Sequence, residues 1–449
     1  MNDIITKILR SVSFKFIVIG ILSLLLLIPA GMIKNLIAER ESRNQSARAE
    51  ISEKWGSAQT ITGPFLTLPV NEKIRQGDEW ITLHKTLHLL PENLEIKADV
   101  EPLEKRRGIF RAVVYTTGIQ MKGAFDLSSE EYNSLLNDSH SPGKPRLELG
   151  ISDLRGILTR SEFRVNSTTE EIKPGLYNQD VAMQGIHVPV ELQETDTPGK
   201  ITFRIDLSLN GSSALYFTPV GKSTDALVKA LWPDPSFTGN FLPSDKSIGT
   251  EKFSAQWSIN NLNRNYPQAW FGSRTSVEES AFGVIFLKTV GHYQKSTRAA
   301  KYAFMFIALT FLVFFLIEVI SKTRIHPIQY LLVGFALIIF YTLLLSLSEH
   351  TGFNIAYGIS TIATTVLVSV YIRTSLDSKR IGIWTGILLL VLYGYLFTIL
   401  QVSEFALLMG SIGLFVILAV IMIVSRKINW YRRESSDISA GNSNARSHH

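Results

Sequence analysis

Long apolar runs separate a hydrophobic C-terminal third from a middle region of mixed polarity. A helix needs about 20 apolar residues to cross the hydrocarbon layer of a bilayer. The pattern therefore predicts six transmembrane helices, one near the N-terminus and five near the C-terminus. They fall at about 14–33, 302–320, 328–347, 353–372, 381–400 and 405–425.

The first apolar run follows Lys7, Arg10 and Lys15 and continues to Ile33. A cleaved signal peptide is the alternative, but its apolar part usually spans about 7–15 residues. The sequence "IPAG" near the end of the run is also a poor cleavage site. We therefore predict that residues 1–35 form a cytoplasmic N-terminus and an uncleaved signal-anchor helix.

A charged segment follows the anchor and is predicted to be a stalk helix over residues 36–62. Glu39 and Arg43 are spaced i,i+4 with the acid first, which is the order that stabilises a helix. Gly56 is suited to end this helix. The stalk would continue the first span outwards.

Residues 63–298 alternate between apolar and polar positions with period two, which indicates strands. Glycine, proline, asparagine and aspartate separate the runs, and long helical patterns are missing between them. This texture predicts a large antiparallel β-rich, sandwich-like domain, so the fold class is an α+β membrane protein. A division into two lobes, with a boundary within 137–145, stays open. Two sets of alternate residues are each predicted to share a buried face: Phe203, Ile205, Leu207 and Leu209, and Phe253, Ala255, Trp257 and Ile259.

The formal net charge of +6 is better explained by membrane topology than by nucleic-acid binding. Lysine and arginine mark the cytoplasmic loops of membrane proteins. They occur in segments 321–327 and 373–380 and at the start of the tail 426–449, but not in "SLSEHTGFN" or "QVSE". Both termini are therefore predicted to be cytoplasmic, with residues 36–298 in the periplasm. The five-helix bundle spans 299–425, and the basic tail is predicted to be disordered.

Residue types that commonly carry chemistry are sparse. The chain has no cysteine, which excludes disulfides, thiolate metal sites and cysteine nucleophiles. His84 and His88 are spaced i,i+4, but neither an HExxH motif nor a third ligand accompanies them. We therefore predict no catalytic residue, no metal ion and no cofactor.

Four ionisable residues in or beside the helix bundle are the candidate functional polar groups: Glu318, Glu349, His350 and Glu404. Glu349 and His350 fall at the outer turn between the third and fourth spans, where water and lipid headgroups can solvate them. Glu404 lies in the other short outer loop, so a shared outer pocket is the functional alternative. Glu318 either pairs with Lys322 at i+4 or forms a buried polar contact between helices.

The segment "LWPDPSFTGNFLP" (231–243) is the most distinctive part of the middle region. Its aromatic residues Trp232, Phe237 and Phe241 either close one end of the sandwich or form a binding loop. The first interpretation is favoured, because prolines make the connection rigid.

Several long segments resemble the CreD family of inner-membrane proteins from Gram-negative bacteria. They include "WGSAQTITGPFLTLPV", "GSSALYFTPVG", "WPDPSFTGNFLP" and "IHPIQYLLVGFALIIFYTLLLSLSEHTGFNIAYGI". The family pattern includes Glu318 and the Ser348-Glu349-His350 turn. Where the family has paired acids before the last span, this chain has Ser403 and Glu404. The resemblance implies a role in cell envelope integrity and stress response, and it supplies no enzymatic activity.

The leading functional hypothesis is a non-enzymatic envelope protein. Its periplasmic β domain would bind a cell-wall, lipid or protein partner while the helices anchor it in the bilayer. The alternative is a transporter or membrane-embedded enzyme that uses the polar residues of the bundle. Transporters of that kind use deeply placed polar residues or broken helices.

Overall fold

The computed structural model describes residues 12–76, 78–191, 199–273, 275–286, 292–321, 325–402 and 405–425. The chain divides into two compact units. The helical unit comprises Met1–Arg43 and Val290–His449, and the β unit comprises Asn44–Thr289. The stretch 137–145, considered above as a lobe boundary, lies inside the β unit.

Nine α-helices are described. They are α1 (Val12–Leu25), α2 (Leu27–Trp55), α3 (Glu130–Asn133), α4 (His292–Lys301), α5 (Ala303–Ser321), α6 (Pro327–Thr351), α7 (Phe353–Ser375), α8 (Lys379–Gln401) and α9 (Ala406–Ser425).

Eighteen strands are described, all of them in the β unit. They are β1 (Gln59–Gln76), β2 (Glu79–Leu89), β3 (Asn93–Arg107), β4 (Phe110–Asp126), β5 (His140–Pro142), β6 (Arg146–Ile151), β7 (Glu162–Val165), β8 (Thr168–Glu170), β9 (Lys173–Pro174), β10 (Gly185–Pro189), β11 (Lys200–Ser212), β12 (Ala214–Phe217), β13 (Ser223–Ala230), β14 (Ser236–Gly239), β15 (Asp245–Ile248), β16 (Phe253–Asn260), β17 (Ala269–Phe271) and β18 (Phe282–Ile285).

The strands form two sheets. The first has ten strands in the order β14-β18-β12-β1-β6-β10-β9, with β2 and β5 also paired to β1 and β17 paired to β2. The second has eight strands in the order β15-β16-β13-β3-β4-β11-β7-β8. Most pairs are antiparallel, but β1 pairs with β12 and β3 pairs with β13 in parallel. The predicted antiparallel β-rich domain is therefore found with two parallel pairs in it, because long connections return the chain beside an earlier strand.

Both sheets contribute to one hydrophobic core. The residues predicted on one face of β11 are all buried, as are those predicted on one face of β16. Trp257 in β16 is 1% exposed and is among the largest fully buried side chains. The alternation is confirmed here because each of these strands has one face on the core and one in solvent.

Four described helical stretches are long and apolar enough to cross a membrane: Lys15–Trp55, which runs through α1 and α2, and the helices α6, α7 and α8. The count becomes five if α4 and α5, which meet at a 45° bend, form one span. Helix α9 occupies the position of the sixth predicted span but is not among these, so a six-helix count stays a prediction. The predicted tail 426–449 lies outside the described residues.

Local signals explain where the helices begin and end. His326 caps α6, Pro327 follows at its first position, and the Gln329 side chain completes the capping box. Gly352 separates α6 from α7 with a φ of 82°, which favours glycine. Helix α2 ends at Trp55, just before Gly56, and β1 begins at Gln59. The last residues of the predicted 36–62 stalk are therefore not helical.

Candidate functional site

The Glu318 carboxylate joins three helices of the helical unit. It projects from α5 and is only 5% exposed. The Lys15 ammonium of α1 donates to Oε1, and the Tyr330 hydroxyl of α6 donates to Oε2 at 3.0 Å. This is the geometry of the buried interhelical contact, one of the two alternatives for Glu318. Lys322, the partner in the other alternative, lies outside the described residues.

A buried carboxylate needs such partners because an unpaired charge in a low-dielectric environment is strongly disfavoured. Lys15 supplies the opposite charge and Tyr330 supplies a second donor. The contact also connects residues distant in sequence, since α1 precedes the β unit and α5 follows it. It therefore fixes the first helix against the later ones.

Glu349 and His350 lie in the last turn of α6 and do not form a common site in the described structure. The Tyr293 hydroxyl of α4 donates to Glu349 at 2.9 Å. His350 is exposed, and its Nδ1 lies 3.2 Å from the Ser346 carbonyl oxygen of the same helix. Glu404, the fourth predicted polar residue, lies outside the described residues.

The aromatic residues of the segment 231–243 pack inwards. Trp232 is 6% exposed and donates its indole N–H to the Asp234 carbonyl oxygen at 3.0 Å. The Phe237 ring meets Trp257 edge-on, with 5.8 Å between ring centroids. The Phe241 carbonyl accepts the Trp257 indole N–H at 3.1 Å. This packing fits the structural interpretation of the three aromatics.

The exposed apolar side chains of this region are leucines rather than aromatics. Leu231 is 67% exposed and Leu242 is 74% exposed. The same part of the chain supplies β14, the end strand of the first sheet, and β15, the end strand of the second. All four residues of β15 are exposed. Two sheet edges and two exposed leucines therefore come from residues 231–248, which we call the edge segment.

A buried polar network in the β unit was not anticipated from the sequence. The Thr67 hydroxyl lies 2.8 Å from Glu148 Oε2 and 3.3 Å from His88 Nδ1. His88 Nε2 lies 3.2 Å from Asp180 Oδ2, and the Tyr177 backbone N–H donates to Glu148 Oε1 at 2.7 Å. Thr67, His88 and Glu148 are fully buried.

Burial shifts the pKa values of two groups in this network. It raises the pKa of Glu148 and lowers the pKa of His88, since the charged form of each group is disfavoured. The Thr67 hydroxyl donates to Glu148 Oε2. Both ring nitrogens of His88 contact polar groups, the Thr67 hydroxyl at Nδ1 and the Asp180 carboxylate at Nε2. Because the Thr67 hydroxyl is fully buried, this chain of hydrogen bonds serves the interior rather than an external substrate.

The sequence held no signal for this network. In "RLELG", Glu148 lies on the opposite face of β6 from Leu147 and Leu149. The segment around Tyr177 covers that face and donates a backbone N–H to Glu148. His84, the other histidine of the i,i+4 pair, is exposed and bonds to Asn71 at 2.6 Å. The described residues contain no cluster of three or more potential metal ligands.

The apolar helices, with a large β unit inserted between them in the sequence, define a multi-pass membrane protein. The family model described as "Inner membrane protein CreD" matches residues 11–431. Inner membrane protein CreD of Escherichia coli (strain K12) is 33% identical over 422 residues, which cover 91% of each chain. This chain therefore belongs to the CreD family and is a multi-pass inner-membrane protein.

Proposed function

We propose that this protein contributes to cell envelope integrity without catalysing a reaction. Its β unit faces the periplasm and binds an envelope partner, and six membrane helices hold that unit at the bilayer surface. The single observation that carries partner binding is the edge segment, where two sheet edges and two exposed leucines occur together.

The charge distribution supports this orientation. Arg373, Lys379 and Arg380 lie at the turn between α7 and α8, whereas Glu349 and His350 lie at the opposite end of α6 and α7. Basic residues favour the cytoplasmic side of an inner membrane. Because the chain enters the β unit from α2 and leaves it towards α4, the same alternation supports a periplasmic β unit. A compartment-sensitive reporter fused near residue 150 should be active only in the periplasm.

An envelope protein is the partner class that best fits the edge segment. An edge strand presents unpaired backbone N–H and C=O groups, to which a strand of another protein can bind by extending the sheet. Neighbouring exposed leucines add apolar contacts for the side chains of that strand. A glycan would use the backbone groups but would gain less from Leu231 and Leu242.

The described acids of the helical unit support anchoring rather than catalysis. Glu318 is engaged by Lys15 and Tyr330, and Glu349 accepts from Tyr293. Both carboxylates thereby join helices to each other. A structural role accounts for these contacts without a substrate.

Photo-crosslinking in intact cells tests the proposal. A photoreactive amino acid replaces Leu242 in the edge segment, and the control variant carries it at Leu262, which is 88% exposed in the turn after β16. We expect a protein adduct that forms from position 242 and not from position 262. No adduct, or the same adducts from both positions, contradicts partner binding at the edge segment.

A further inference from the structure

The contact between α7 and α8 contains an unusual number of hydroxyl groups. On α7, Ser360, Thr361, Thr364 and Thr365 follow the spacing of one helix face. The face is buried, and the two helices approach closely: a Cβ at Gly386 would lie 2.7 Å from Ser369 Oγ. Small residues commonly allow such approach in membranes, so the stripe alone indicates only helix packing.

The second observation concerns the hydrogen bonds of these groups. Seven buried hydroxyl oxygens of α6, α7 and α8 have no hydrogen-bond partner among the described residues, and we call them the hydroxyl seam. They belong to Tyr341, Ser360, Thr361, Thr365, Ser369, Thr385 and Tyr393. Ser360 and Thr385 are fully buried, and Thr365 is 6% exposed.

Other hydroxyls in the same unit behave differently. The Thr310 hydroxyl donates to the Phe306 carbonyl at 2.8 Å, and the Thr398 hydroxyl donates to the Gly394 carbonyl at 3.0 Å. Both use the carbonyl oxygen one turn earlier, which is the usual solution for threonine in a helix. The hydroxyl seam does not use this solution, although its residues lie in helices of the same kind.

Buried polar groups in proteins are satisfied by protein or by bound water. Tyr341 extends the seam from α6, where the neighbouring Phe340 ring packs against Tyr357 of α7 and Tyr393 of α8. No charged residue occurs from Phe353 to Ile372 or from Ile381 to Leu400. The seam therefore offers neutral donors and acceptors, which suit water.

We propose that the hydroxyl seam binds a file of water molecules inside the membrane-spanning part of the protein. The file enters at the turn between α7 and α8, where Arg373 and Asp377 are exposed. It passes Ser369 and Thr365 and reaches Tyr341. Each water molecule donates to and accepts from hydroxyls that have no protein partner.

Radiolytic footprinting of the full-length protein in lipid bilayers tests this proposal with water itself as the probe. Hydroxyl radicals formed from bound water oxidise an adjacent ring, even one that bulk solvent does not reach. Tyr341 should be oxidised about fivefold or more above Phe311, an equally buried ring of α5, because bound water is expected only beside the polar group. If both rings are oxidised equally and only at the background level, the proposal is overturned. This comparison uses the unsubstituted protein and needs no variant.

Two substitutions assign the water to the seam. The double variant Ser360→Ala, Thr365→Val removes two of its hydroxyls with little change in volume and should return the oxidation of Tyr341 to near that of Phe311. The control is Val366→Ala, which changes an exposed residue beside Thr365. Unchanged oxidation in the double variant overturns the seam as the binding site. If that variant does not assemble, the comparison in the unsubstituted protein decides.

Discussion

The Lys15 ammonium contacts the Glu318 carboxylate although the two residues are 303 positions apart in the chain. Lys15 lies in the first helix, before the whole β unit, and Glu318 lies in α5, after it. Their contact joins the N-terminal and C-terminal parts of the helical unit, which the β unit separates along the chain. The pair therefore holds together two parts of the helical unit that are distant in the sequence.

Replacing Lys15 by methionine should destabilise the helical unit. The substitution leaves the buried Glu318 carboxylate without its opposite charge, at a cost of about 2 kcal/mol or more. Thermal unfolding of the detergent-solubilised full-length protein measures the loss. Lys34→Met, at an exposed lysine of α2, is the matched control and should have little effect. The double variant Lys15→Met, Glu318→Leu should regain stability. That result would identify the unpaired Glu318 charge as the cause of the loss in Lys15→Met.

Gly334 should tolerate no branched side chain. A Cβ at this position of α6 would collide with the Leu26 side chain and approach the Phe311 ring to 2.9 Å. We expect Gly334→Val to lower the melting temperature of the full-length protein and to loosen the first helix, because overpacking displaces neighbouring helices. Gly358→Val in α7 is the control, since a Cβ at that position would meet no described atom within 4 Å. Equal effects at both glycines contradict a close helix crossing at Gly334.

The β unit should lose stability on mild acidification because of His88. Burial lowers the pKa of His88 below its ordinary value of 6.5. At acidic pH, the folded state then binds fewer protons at this residue than the unfolded state. The stability that is fully present above pH 6.5 is therefore lost as the pH decreases below that value. From about pH 7.5 to pH 6 the loss reaches at most about 1 kcal/mol. Glu148 acts in the opposite sense at lower pH, because its raised pKa favours proton uptake by the folded state.

Hydrogen exchange of β1 and β2 in the full-length protein at the two pH values measures this loss. The His88→Gln variant removes the titrating group and should show a smaller dependence on pH. His84→Gln, at the exposed histidine of the same strand, should leave the dependence unchanged. A His88→Gln variant with the original pH dependence would show that another group is responsible.

Substitutions at Phe237 and Leu242 should distinguish the contribution of the edge segment to stability from its contribution to partner binding. Phe237 packs against Phe253 and Trp257, so Phe237→Ala should destabilise the β unit by about 2 kcal/mol. Leu242 is largely exposed, so Leu242→Ala should change stability by no more than about 0.5 kcal/mol. Thermal unfolding monitored by tryptophan fluorescence compares the two variants. Loss of partner capture in Leu242→Ala with unchanged stability would support the proposed interface.

The sequence by itself determined the features that depend on local periodicity. Apolar runs predicted helices that the structure places at Pro327–Thr351, Phe353–Ser375 and Lys379–Gln401. Period-two alternation predicted the buried faces of β11 and β16. These predictions succeed because hydrophobic burial acts on each element through a repeating pattern along the chain, which requires no knowledge of its neighbours.

Only the tertiary structure decided which distant residues meet. It supplied Lys15 and Tyr330 as the partners of Glu318, buried Glu148 beneath the segment around Tyr177, and turned the aromatics of the edge segment inwards. It also placed β14 and β15 at the ends of different sheets. Such contacts depend on long-range strand pairing and helix packing, and a side chain's partner across hundreds of residues leaves no periodic trace in a single sequence.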